Sequence, residues 1–169
     1  MYLISVEGGD GSGKGIATQM LAEICSEEFT FTDVAVTGEP RRDHPLGQLA
    51  VEAVSTGEAG PVHEASMFAA DRLDHSHAWI VPRLARGEVV ISERNVHSSL
   101  VYQGIVGDLG LGVIHRARFH ALDLAVHVDE VAGFVVALHV RHVPPTAMQP
   151  RRAVVEDELE PAFAETHPL

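Results

Sequence analysis

The sequence predicts an α/β fold, three layers deep, with a mainly parallel sheet of four to five strands and helices on both faces. Three observations predict it. Short apolar runs recur along the chain, bounded by glycine or charged residues, as buried strands are. Stretches with apolar residues at helical spacing separate them, and crossovers of that kind join parallel strands. The chain has 169 residues, 46% of them hydrophobic, which suits a single domain with its own core.

Each element has its own signal. Residues 2–6 (YLISV) run straight into glycines and read as the first strand. Residues 14–26 place Ile16, Met20, Leu21 and Ile24 at helical spacing. Residues 34–36 (VAV) read as a second strand and 46–54 as a short helix. Residues 64–86 read as a long helix through Met67, Leu73, Ile80 and Leu84, with Pro82 placed to bend it. Residues 88–92 (EVVIS) follow Gly87 as a third strand, 96–105 and 112–121 read as helices, and 124–128 (LAVHV) as a fourth strand. Residues 131–142 read as a helix, 143–150 as a Pro-rich loop and 154–165 as a last helix. In such a sheet, ligands sit beyond the carboxyl ends of the strands.

Charge narrows the function. The net charge is −12, and Lys14 is the only lysine. An acidic surface argues against nucleic-acid binding, which needs a basic footprint. Acid excess with so little lysine resembles the proteins of a salt-loving (halophilic) microbe, where internal salt screens self-repulsion; drift in a GC-rich genome makes the same exchange of lysine for arginine. Where lysine has been removed elsewhere, Lys14 marks a position needing a compact ammonium rather than a broad guanidinium. Cys25 is the only cysteine, so the chain has no internal disulfide framework and reads as a reduced, cytoplasmic protein with Cys25 as a small buried apolar residue. No signal-like segment opens the chain, and no apolar run approaches the roughly 20 residues of a bilayer span, so no membrane is expected. None of the eleven histidines stands at zinc-motif spacing.

The chemistry concentrates after the first strand. Gly8, Gly9, Asp10, Gly11, Ser12, Gly13, Lys14 and Gly15 fit the phosphate-binding P-loop pattern G-x-x-x-x-G-K up to its last position. Glycines let the backbone turn its N–H groups towards phosphate oxygens, and the helix that follows points its positive end at the same anion. This predicts a three-layer P-loop NTPase fold that binds ATP with Mg²⁺. Gly15 replaces the serine or threonine whose hydroxyl meets Mg²⁺; the run GSGKG is similar to the loop of adenylate kinases.

Four segments, in order, then resemble the thymidylate kinase family. They are Val6–Lys14 (VEGGDGSGK), Thr37–Pro40 (TGEP), Phe68–His75 (FAADRLDH) and Val90–Arg94 (VISER) continued by Ser98–Gly104 (SSLVYQG). The likeness covers about residues 2–130. It implies transfer of phosphate from ATP to dTMP, giving dTDP for deoxynucleotide synthesis. Residue types suggest the roles. Phe68 offers a flat face to a pyrimidine, and Arg72, one turn on, a hydrogen bond to the base edge. Glu93 ends a buried strand where a carboxylate can serve Mg²⁺, and Arg94 can clamp phosphoryl oxygens. Asp10, inside the loop, would serve the metal, an arginine or a sugar hydroxyl, and Glu39 similarly. Arg42 or Arg41 is a candidate for the dTMP phosphate, unless the RRD run is a plain solvated turn. The resemblance adds Ser99, Tyr102 and Gln103 to the substrate side. Asn95 stands where the family has an aromatic residue against the sugar 2′ position. With no arginine between Asp10 and Gly13, the resemblance implies a catalytic arginine on a lid of about residues 141–152: Arg151, with Arg141 and Arg152 as alternatives. Family members continue to a fifth strand and a final helix, and are commonly homodimers. Two alternatives remain at this point: another nucleoside monophosphate kinase, which Gly15 favours, or a nucleotide-binding homologue impaired in catalysis.

Overall fold

The computed structural model describes residues 2–27, 33–116 and 137–142. The strand expected at 124–128, the loop at 143–150, the helix at 154–165, and Arg151 and Arg152 lie outside them. Three parallel strands form the centre: β1 (Tyr2–Glu7), β2 (Val34–Gly38) and β3 (Val89–Glu93). The order is β2-β3-β1-β4, so β3 is flanked in register by Ile4 and Val36 at Ile91, and by Ser5 and Thr37 at Ser92.

Alternating side chains of these strands feed two cores. Ile4, Val6, Val89 and Ile91 pack with Cys25 of α1 (Lys14–Glu27), while Leu3 and Val90 pack with Ile80 and Leu84 on the opposite side. A strand's period of two divides its residues between the faces, which is why helices cover both. On α1 the buried face is Thr18 and Cys25, with Leu21 and Ala22 partly covered. Ile16, Met20 and Ile24 face outward among the described residues, so helical spacing located the helix but not its inner face.

Helices α2 (Pro45–Ser55) and α3 (Pro61–His75) both start with proline, whose missing N–H costs nothing in a first turn. The long helix expected over 64–86 runs from α3 through a π-turn, Ser76–Ile80, into α4 (Val81–Ala85). Pro82 accounts for the widening. It has no N–H to give and its ring crowds the carbonyl four residues back, and Val81 N–H reaches Ser76 O instead. A second such segment, Leu100–Val106, follows α5 (Val96–Ser99) and meets α6 (Leu111–Arg116), burying Leu100 and Ile114 against Ala65.

One expectation is overturned. Within the helix expected at 131–142, Ala137–His142 forms β4, antiparallel to β1, with Glu7 opposite Ala137 and Tyr2 opposite His142. The centre of β4, Leu138-His139-Val140-Arg141, alternates apolar and polar residues with period two, and the unpaired backbone groups of the β1 edge take the segment up. Arg141 stands opposite Leu3, towards the end of β1 remote from the glycine loop, so it belongs to a strand and not to a lid. Among the described residues no helix is long and apolar enough to cross a membrane.

Candidate active site

The glycine loop joins β1 to α1. Gly11 and Gly13 have φ of 76° and 84°, a backbone region open to glycine and costly for other residues. At Gly8 the reason is space: a Cβ there would come within 2.7 Å of Ser12 Oγ. Lys14 is buried, and its Nζ donates to Gly9 O at 2.7 Å, folding the ammonium back over the loop. Ser12 Oγ has no hydrogen-bond partner among the described residues. An orphan hydroxyl and an ammonium using one of three donors inside a glycine loop fit a polyphosphate.

The first and fourth motifs bind each other. Glu7, buried at the end of β1, accepts from Asn95 N (2.7 Å), Ser98 Oγ (2.7 Å) and Ser5 Oγ (2.8 Å). This fixes the turn after β3, where Arg94 adopts φ 68° while its N–H donates to Val6 O at 3.0 Å. A non-glycine residue held there marks imposed strain. The Arg94 guanidinium donates to Ser98 Oγ at 2.9 Å and Asp10 at 2.5 Å, and stands 5.3 Å from the Tyr102 ring. Asn95 is buried and caps α5, its Oδ1 accepting from Val96 N at 2.6 Å, so its side chain serves the helix.

The second and third motifs also bind each other. Arg72 Nε donates to Glu39 Oε2 at 2.7 Å, and His75 bridges Glu39 (3.2 Å) to Thr37 (2.7 Å). Burial pushes the Glu39 carboxyl up, but the Arg72 charge and the His75 hydrogen bond outweigh it and hold the carboxyl below its ordinary range. Arg72 Nη2 donates to Ser99 Oγ at 2.9 Å, while Nη1 is buried without a partner among the described residues. The two arginines after the cis Glu39–Pro40 bond diverge. Arg41 bonds Asp71 through Nε (2.9 Å) and its backbone N (3.0 Å), and Asp74 through Nη2 (2.7 Å). Arg42 is exposed and has no ion pair among the described residues.

A cavity of about 680 Å³ brings part of the expected site together: Asp10, Lys14, Gly15, Glu39, Arg42, Glu93 and Arg94 line it, with Arg41 and Trp79. Phe68, Arg72, Ser99, Tyr102 and Gln103 are not on its wall. Arg72 and Ser99 connect to it through Glu39, Tyr102 lies under Arg94, Gln103 is buried, and Phe68 is half-buried on α3. Sequence reasoning missed Glu7, Ser98, Asp71 and His75. All four sit within quoted motifs, and that membership was the available signal.

The Mg²⁺ expectation can be tested on donors. Among the described residues no three His, Cys, Asp or Glu side chains gather as a metal group. Two carboxylates on the cavity wall, Glu93 and Asp43, have no hydrogen-bond or ion-pair partner among them, and of the two Glu93 stands beside the glycine loop at Gly15. A single carboxylate at the loop suits Mg²⁺, which keeps waters and takes most ligands from substrate phosphates.

Comparison with known proteins gives one answer. The thymidylate kinase family model matches residues 6–129. Probable thymidylate kinases of Pyrobaculum calidifontis and Halobacterium salinarum are 45% and 38% identical, over 62% and 60% of this chain and 51% and 48% of theirs. The chain thus spans about half the length of these relatives. The crystal structure of thymidylate kinase from Ehrlichia chaffeensis superposes with a TM-score of 0.61 at 29% identity, covering 75% of this chain and 66% of that one. With its glycine loop, its two motif pairs and a family match across 6–129, the chain belongs to the thymidylate kinase family.

Proposed function

We propose that this chain phosphorylates dTMP to dTDP with Mg·ATP, as a cytoplasmic enzyme that pairs as a homodimer. The observation that carries the reading is the shared cavity, where the lysine loop faces the Glu39–Arg42 turn across Glu93 and Arg94. The ATP phosphates would lie in the Gly8–Gly15 loop on Lys14 and Ser12 Oγ. The dTMP phosphate would face Arg42 and Arg94, and its base the unpartnered Nη1 of Arg72 beside Phe68. Transfer is in line, and the attacking phosphate oxygen needs no base, so the residues act by position and positive charge. Bound magnesium would neutralise phosphate charge, held through Glu93, with Asp10 alongside once Arg94 turns to substrate. Arg94 is pre-aimed by Ser98 and Glu7, which reduces the ordering cost of gripping phosphate.

ADP release measured across dTMP, dUMP, UMP and AMP in molar salt tests the substrate, with dTMP expected to be turned over fastest. Lys14→Met should abolish turnover while leaving the thermal midpoint nearly unchanged; retained activity would refute the role of Lys14. Gly15 supports a second reading, a homologue that binds nucleotide without turnover, and ATP binding with no monophosphate consumed would select it.

A further inference from the structure

This inference rests on the nucleotide-kinase reading above and concerns how the chain manages without a hydroxyl after Lys14. In P-loops ending GK[ST] that hydroxyl meets the magnesium of the bound nucleotide. Here the position is Gly15, and the structure shows what occupies its space. A Cβ on Gly15 would lie 3.4 Å from Glu93 Oε2, its nearest neighbour. The stem of the same glutamate passes Gly38, where a Cβ would lie 3.5 Å from Glu93 Cβ. Two glycines flank this one residue, Gly38 at the end of β2 beside its stem and Gly15 on α1 beside its carboxylate. That carboxylate is half-buried in the cavity and has no partner among the described residues, while Lys14 spends a donor on Gly9 O.

We propose that Gly15 and Glu93 are a matched pair: the glutamate reaches over the glycine and takes the place on the magnesium shell that a serine or threonine hydroxyl would hold. An aspartate at 93 would end about 1.5 Å short, one C–C bond, and leave that space empty. A Cβ at 15 would touch the carboxylate in ordinary contact, and a serine hydroxyl one bond further out would compete with it for the same space. Exchanging a hydroxyl dipole for a full charge also makes metal affinity depend on Glu93 more than on any other group near the loop.

The test uses the full chain, Mn²⁺ with ADP, and free Mn²⁺ read by electron paramagnetic resonance. ADP affinity is measured separately in EDTA by calorimetry. E93D and G15S should each weaken Mn²⁺ binding in the ADP complex about tenfold, with ADP affinity in EDTA unchanged. The double variant G15S/E93D should recover to within about threefold of the parent, because the shorter acid makes room for the hydroxyl. E93Q, equal in length but uncharged, should lose Mn²⁺ like E93D, which guards against a misfolded aspartate variant. Losses that multiply in the double variant, or an E93Q that binds Mn²⁺ like the parent, would overturn the pairing. A parent chain that binds no ADP in either condition would overturn the kinase reading itself.

Discussion

Arg41 and Arg42 are adjacent in sequence and opposite in situation. Arg41 is committed to Asp71 and Asp74, with Asp71 almost wholly buried, whereas Arg42 faces the cavity unpaired. Removing Arg41 strands a buried carboxylate, so Arg41→Ala should cost about 3 kcal/mol in denaturant unfolding. Arg42→Ala should leave stability unchanged and raise KM for dTMP about tenfold, the loss of one charge-assisted contact. The sequence held both arginines as candidates, because side-chain partners come from α3 and not from neighbours in the chain. Glu39 carries a pH dependence. Its carboxyl lies below the ordinary value of 4.5, so its contribution to stability is complete above that pH and is lost as pH falls through the lowered value. Asp74 acts in the same direction, held down chiefly by its hydrogen bond to Arg41. Thermal midpoints should therefore be flat from neutral pH to about 5 and fall below it, less steeply in Glu39→Gln.

At the scale of elements, the turn after β3 is the piece the rest must hold. Glu7 ties it to β1 through Asn95 N and Ser98 Oγ, and it carries the strained Arg94. Glu7→Gln should lower kcat about tenfold or more while changing KM for ATP little, since it misaims a group acting on the transferring phosphate. General loosening would instead lower the thermal midpoint and shift both constants. The three parallel strands were legible because each is a short apolar run ended by a glycine or a charge, a local signal. β4 was not. Its pairing with β1 joins residues far apart in sequence, and a brief apolar stretch does not by itself separate strand from helix. The π-turn was half legible: Pro82 marked the place, and packing chose a wider turn over a bend. The site followed the same division. The phosphate loop is contiguous and was readable, while the Glu39–Arg72–His75 network exists only once α3 lies against β2.

For the whole molecule, charge is the governing quantity. A net charge of −12 on 169 residues favours expansion, and salt relieves it by shortening the screening length to about 3 Å at 1 M. The thermal midpoint should rise steadily between low and molar KCl. Because the Arg41–Asp71 and Arg72–Glu39 pairs are buried, they should lose little to the same screening. A midpoint that falls with KCl would show that attractive surface pairs outweigh the self-repulsion.

Trp79 is the chain's one tryptophan. It stands on the cavity wall with the Arg83 guanidinium 3.8 Å above its ring and His75 at 5.6 Å. Every photon the indole emits therefore originates beside the place where ligand would dock. The protein carries its own unlabelled optical reporter, and the colour and lifetime of that emission should shift as the cleft fills.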